Sequence, residues 1–306
     1  MSSVPPADAH WQNAHIKFLA EPHVYLWNDR PVRVSSTGLL KHYFPDTFNG
    51  PEVAKTFYHN WKHNERKPYY HLIWYLLLVE GRDDEYVRDS IVRLWDANKK
   101  HSRDLGTEMH RQLDLTVRGR DVPKDDRMPE LAMFQDWLPD FLKEGNWAIY
   151  ASEMFLVKLD HEQKVAVWAG TADLVLRSTK NPDTFAVIDY KRSNPKKGTH
   201  IIGQETPNRF KNGMALPPFD MLENNDTGSY TAQVNIYAHM LFTDYGIDAR
   251  DHLYVVQIHE ELPKPHVYHA PRLDEAMETM TATQTADAVA DARLADADGV
   301  SELYNF

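Results

Sequence analysis

Three residues stand out by type and spacing. The apolar run "AVIDYK" (Ala186 to Lys191) reads as a buried strand ending on Asp189 and Lys191. The strand before it, "AGTADLVL" (Ala169 to Leu176), carries Asp173. Alternation along a strand puts Asp189 and Lys191 on one face. If the two strands pair, Asp173 approaches Asp189. Two carboxylates ~4 Å apart repel by about 4 kcal/mol at an effective dielectric near 20. Such a pair persists where a cation or a shared proton compensates. A hard divalent cation fits, since Mg²⁺ prefers carboxylate, carbonyl and water oxygens. An ammonium beside that cation, Lys191, can position water or stabilise negative charge on a phosphate. The chemistry on offer is hydrolysis of a phosphodiester. Taken alone, Asp-x-Lys also describes an ordinary ion pair at an exposed strand end.

The charge that follows points the same way. From Asp189 to Lys211, six basic residues (Lys191, Arg192, Lys196, Lys197, Arg209 and Lys211) stand against Asp189 and Glu205, a local +4 in a chain of net charge −11. Basic side chains of this kind grip phosphates. The overall acidity disfavours broad non-specific nucleic-acid binding, so contact would be local.

The elements that must carry these residues can be read from periodicity. "HVYLWNDRPVRVSS" (23–36) forms a hairpin around Asn28-Asp29, and "SSTGLLKHYFP" a short helix with Ser36 as N-cap and Pro45 as stop. Residues 1–50 make up this opening. Residues 51–147 carry apolar residues at helical spacing, with "DEYVRDSIVRLWDANKK" and "DLGTEMHRQLDLTV" as separate helices and a polar loop from Arg118 to Pro129. This region would form a wall over the site. Its basic residues (Lys62, Arg66, Lys67, Lys99, Lys100, Arg103) could line a channel. Its aromatics Tyr58, Trp61, Tyr69 and Tyr70 fit either core or a platform for stacked bases. From Ala148 the pattern turns to strands: "AIYASEMFLVKL", "KVAVWAGTADLVLRS" and "TFAVIDYK" make an antiparallel meander. A long loop runs to Gly228, followed by a helix ending near Gly246, a strand "HLYVVQIHEE" and a short strand "HVYHA". Residues 148–282 would be the core. Residues 283–306 are an acidic, alanine-rich tail expected to fray past Met280.

The ordered series "GTEMHRQLD" (Gly106 to Asp114), "SEMFLV" (Ser152 to Val157), "AGTADLVL", "VIDYKRS" (Val187 to Ser193) and "TAQVNIYAHML" (Thr231 to Leu241) resembles the PD-(D/E)XK nuclease superfamily. Within it, the match is to the RecB-like and viral or phage exonuclease-like branch, with its G-x-x-x-H, G-x-x-D, D/E-x-K and Q-x-x-x-Y motifs. The resemblance spans residues 106–241, under half the chain. It implies an α/β, restriction-endonuclease-like fold: a mixed central sheet flanked by helices, with a mostly helical N-terminal region. It implies a metal site of Asp173, Asp189, the Tyr190 backbone carbonyl and His110, with Glu153 as ligand or outer partner. Lys191 would be the catalytic lysine. Gln233 and Tyr237, four apart on one helical face, would contact nucleic acid or orient that lysine. Position 189 is Asp where many relatives have Glu.

The implied activity is a metal-dependent DNA exonuclease or processing nuclease using one or two Mg²⁺ or Mn²⁺ ions. Imidazole tolerates Mn²⁺ better than Mg²⁺. An RNA endonuclease of the cap-cleaving type and an inactive binding or scaffold protein on the same fold are the alternatives. DNA is favoured over RNA as partner, and the sequence names no protein partner. The chain has no cysteine, which excludes an iron–sulfur cluster and disulfides. No apolar run approaches the ~20 residues of a membrane span. No basic-then-apolar leader opens the sequence, so an intracellular protein of cytoplasm or nucleus is expected. His59 and His63, four apart, lack a third ligand and read as a solvated face, as do His266 and His269.

Overall fold

The computed structural model describes residues 14–19, 21, 24–46, 48–162, 164–195, 200–204 and 213–297. The chain divides into two compact units, Asp46–Glu108 and the pair of segments Met1–Pro45 and Met109–Phe306. The expected helical region 51–147 is therefore split, and its last part belongs with the sheet.

The larger unit is α/β, with a mixed sheet flanked by helices. β5 (Trp147–Asp160), β6 (Val165–Ser178) and β7 (Phe185–Lys191) form the expected antiparallel meander. β7 then pairs in parallel with β8 (Leu253–Gln257) through the crossover helix α6 (Asp226–Tyr245). β9 (His266–His269) closes that edge antiparallel to β8. Leu174, Leu176, Ile188 and Val256 point to one face, where Met109, Leu113, Phe134 and Leu138 cover them. Val175, Val187 and Val255 point to the other, under Ala232, Ile236, Met240 and Met277. Each layer is an alternating strand face met by an apolar helix stripe.

The opening segment is more elaborate than a hairpin. β1 (Ile16–Leu19), β2 (Val24–Trp27) and β3 (Arg30–Pro31) make a three-stranded ribbon, with Asn28 and Asp29 at φ 48° and 65° in the turn. Two-residue turns between strands favour this left-handed conformation, and Asn and Asp tolerate it. β4 (Val34–Ser35) leaves the ribbon and pairs in parallel with Trp168 and Ala169 of β6. The N-cap of α1 (Ser36–Tyr43) is Ser35, whose Oγ accepts from the Gly38 N–H; Ser36 instead donates to the Ala169 carbonyl.

α6 is capped by Asn225 and ends at Gly246, φ 67°. It is buried on nearly all sides rather than amphipathic. The loop between β7 and α6 is tied down by Gln257, which accepts from the Ile202 N–H and donates to the Ser193 and His200 carbonyls. The expected fraying past Met280 is not met. α7 (Asp274–Ala297) keeps Gln284 and Ala288 buried, and Gln284 donates to the Tyr43 hydroxyl. Arg33 Nε lies 2.6 Å from Asp291. Small residues and one buried amide hold α7 where a large apolar stripe is missing.

The smaller unit contains α2 (Gly50–Lys62), α3 (Tyr70–Trp74), a π-helical turn (Tyr75–Val79) and the start of α4 (Asp84–Val117). α4 is one continuous helix of 34 residues where two were expected. Its core is Tyr58, Ile73, Leu76, Val87 and Ile91, with Trp61, Tyr69 and Trp95 packed edge-on around it. Lys62 is 2.9 Å from Asp84, so this cation is already paired. α5 (Pro129–Gly145) follows in the larger unit. Among the described residues no helix is long and apolar enough to cross a membrane.

Candidate metal centre

The site lies where β6 loses a neighbour. β5 runs along one edge of β6 for its whole length. The other edge carries β4 at Trp168 and Ala169 and β7 from Leu174 to Arg177, so residues 170–173 between them have no strand partner. Asp173 sits in this gap. The next register step would set it against Asp189, but pairing stops at Leu174 and Ile188. The Asp173 carboxylate instead accepts from the Tyr190 N–H at 2.6 Å. The end of β7 therefore diverges from the middle of β6 around their acidic side chains.

Gly170 shows why the G-x-x-D glycine is needed. A Cβ there would fall 2.4 Å from Ser36 Oγ and 2.9 Å from the Tyr237 ring. Only a bare Cα lets α1 and α6 close over β6 at this point. By contrast, an added Cβ at Gly106 would meet no described atom within 4 Å.

His110, Glu153 and Asp173 offer one nitrogen and two carboxylate oxygens within 4.8 Å of one another. His110 Nδ1 is 3.3 Å from Asp173 and 3.9 Å from Glu153. Ser152 pairs with Leu174 and Met154 with Ala172, which sets Glu153 opposite Asp173. Glu153 has φ 49°, a left-handed conformation that costs a non-glycine residue on the order of 1–3 kcal/mol. Asp114, Arg118 and Ser152 brace it: Ser152 Oγ donates to Asp114 at 2.6 Å, and Arg118 joins Asp114 and the Ser152 carbonyl at 2.6 Å each. Sequence reading missed this brace, although Asp114 and Arg118 stand at a helical i, i+4 spacing.

Asp189 stands beside the cluster rather than in it. Its Oδ2 is 2.7 Å from Lys191 Nζ, and that ammonium lies 4.8 Å from the Tyr230 ring centre. Gln233 donates to the Tyr237 hydroxyl at 2.7 Å, and both are buried. They are engaged with each other on α6. Arg192 departs from the expected phosphate contact. It is 10% exposed, and its Nε lies 2.8 Å from the fully buried Glu130 of α5. The pull of a buried carboxylate turns it inward. Lys196, Lys197, Arg209 and Lys211 lie outside the described residues. His266 bonds the Ile202 carbonyl and His269 the Asp251 carbonyl, ordinary fold-holding roles.

The electrostatics are those of a buried acidic cluster with His110 and Lys191 beside it. Burial alone would lower His110, but Asp173 and Glu153 overcome it and push its pKa up to about 10. Burial raises Glu153 to about 7 despite His110. Burial also raises Asp189 to about 6, with Lys191 pulling it down and Asp173 pushing it up. Burial opposes ionisation of Asp173 too, yet His110, Lys191 and the Tyr190 N–H hold it below the usual carboxylate range. The mixed nitrogen and oxygen donor set of His110, Glu153 and Asp173 could hold a divalent metal ion.

No protein-family model matches the chain, and no curated protein matches it significantly.

Proposed function

We propose that this chain is a metal-dependent nuclease of the PD-(D/E)XK superfamily, acting on DNA as an exonuclease or processing enzyme, with the α/β sheet as that superfamily's restriction-endonuclease-like core. The observation that carries this reading is the meeting of His110, Glu153 and Asp173 at an open strand edge, with Lys191 on the adjoining strand end.

His110, Glu153 and Asp173 would hold the ion, with Asp189 and the Tyr190 carbonyl as further candidates on the β7 side. A bound Mn²⁺ or Mg²⁺ would supply Lewis-acid activation of water and neutralise charge on the phosphate. Lys191, fixed by Asp189 and the Tyr230 ring, orients the attacking water or stabilises the charge that builds on the phosphate. The Gln233–Tyr237 pair supports the wall behind Asp189 and Lys191. Lys196, Lys197, Arg209 and Lys211, which follow β7 in the sequence, are proposed to supply positive charge for phosphate contact.

The test is incubation with end-labelled single- and double-stranded DNA and RNA in Mg²⁺, Mn²⁺ or chelator. Cleavage of DNA that needs the ion supports the reading. Cleavage of RNA alone moves it to an RNA endonuclease. No cleavage of any of the four substrates in either metal overturns it.

A further inference from the structure

A cavity of about 490 Å³ lies between the N-terminal ribbon, the start of β6 and the last turns of α7. Its volume is in the range of roughly 300–1,000 Å³ usual for small-molecule pockets. Trp27, Val32, Ala288 and Leu294 give it apolar walls. Two guanidinium groups also line it, and they differ. Arg33 is spent: Nε is 2.6 Å from Asp291, Nη1 donates to Gln284 at 2.9 Å, and Nη2 is 3.5 Å from Asp287. Arg30 is not. Its Nη1 is buried, with no hydrogen-bond partner among the described residues. A buried donor without an acceptor is costly and calls for an explanation. Asp291, the acid in the cavity wall, is matched by Arg33, which Asp287 also faces, so Arg30 is the guanidinium in the wall with no ion-pair partner among the described residues.

We propose that this cavity binds a small organic monoanion, a carboxylate on a flat apolar body, with the carboxylate on Arg30 and the body against Trp27. Guanidinium and carboxylate match as a planar fork. A dianionic phosphate fits less well, because its second charge would meet Asp291 and no free cation. Val165 and Ala166 mark the cavity at the start of β6, about 25 Å from Asp173 at ~3.3 Å per residue. The site is therefore separate from the candidate metal centre and does not depend on the nuclease reading.

The test is calorimetric titration of the full chain with indole-3-acetate and with benzoate, in chelator so that no metal can bind the carboxylate. Benzyl alcohol and inorganic phosphate serve as comparisons. At least one carboxylate should bind with a Kd below about 1 mM, and both comparison probes at least about 10-fold more weakly. Arg30→Met removes the charge and keeps an apolar stem, and should weaken binding by about 10-fold or more. Ala288→Leu fills the cavity without touching Arg30 and should weaken it similarly. Without probe, Arg30→Met should melt at or above the wild type, since it removes an unsatisfied donor. The proposal is overturned if neither carboxylate binds below about 1 mM, or if phosphate or the alcohol binds as well as the acids. Unchanged binding in either variant overturns it too, as does an Arg30→Met protein that melts several degrees lower.

Discussion

Replacing Asp189 with Asn should make the metal-free protein more stable, and only above about pH 4. Burial, with Asp173 adding to it, raises this carboxyl from 3.8 to about 6 in the folded state, even though Lys191 opposes the shift. Between those two values the folded protein keeps a proton that the unfolded chain has lost. The carboxyl's contribution is therefore fully favourable below pH 3.8 and is lost as pH rises through 6. Above that, the ionised group weighs against folding by up to about 3 kcal/mol, at ~1.36 kcal/mol per pKa unit. Relaxation and water entry should reduce this to about 1–2 kcal/mol. Asn keeps an acceptor for Lys191 Nζ, now 2.7 Å from Oδ2, so packing changes little. The assay is urea unfolding in chelator at pH 4, 5, 6 and 8. The Asn protein should match the wild type at pH 4, diverge between pH 4 and 6, and keep a steady advantage at pH 8. A difference that does not change with pH, or an Asn protein weaker at pH 8, would refute the electrostatic reasoning.

Lys191→Ala should lower the cleavage rate by at least ~10²-fold, the scale for one positioned charge stabiliser, with the fold retained by circular dichroism. Glu130→Ala should cost about 3 kcal/mol, because it leaves the Arg192 guanidinium, 10% exposed, with only the more distant Glu260 at 3.8 Å. Adding Arg192→Met should restore most of that loss in denaturant melts, and an equally weak double variant would count against the ion pair. Deleting the chain after Gln284 should cost about 1–2 kcal/mol, since it removes buried Ala288 and the partly exposed Arg33–Asp291 pair. An unchanged melting temperature would mean the end of α7 contributes nothing.

The meander was legible because its strands are long, nearly continuous apolar runs, and the approach of Asp173 to Asp189 followed from expecting those strands to pair. Gly246 and the turn at Asn28-Asp29 carried local signals that survive any tertiary context. Short elements were not legible: β1 has four residues and β4 two, and both exist because the sheet and ribbon offer them a partner. The stretch between Lys100 and Asp104 read as a break between two helices, yet α4 passes through it and through Gly106, since one glycine costs only about 1 kcal/mol in a helix of this length. Arg192 read as a phosphate contact because it follows Lys191 in a basic string. Its partner Glu130 lies far away in sequence and in a different element, where no local pattern reveals it. The left-handed backbone at Glu153 is set by the Asp114–Arg118–Ser152 brace, again a long-range cause. Burial weighs against the Asp173 charge, but its neighbours outweigh it. His110, Lys191 and the Tyr190 N–H favour that charge, so Asp173→Asn should melt below the wild type in chelator.

The central claim is that His110, Glu153 and Asp173 hold the ion that cleavage requires. Its most direct test is calorimetric titration of Mn²⁺ into the wild type and Asp173→Asn, paired with melting curves and the DNA cleavage assay in the same buffer. The wild type should bind Mn²⁺, gain about 2.7 kcal/mol of stability at ~100 times the dissociation constant, and cut DNA. Asp173→Asn should remain folded, lose the Mn²⁺ heat and the melting shift, and leave DNA intact. An Asp173→Asn protein that binds Mn²⁺ and gains stability as the wild type does would place the ion elsewhere and contradict the account.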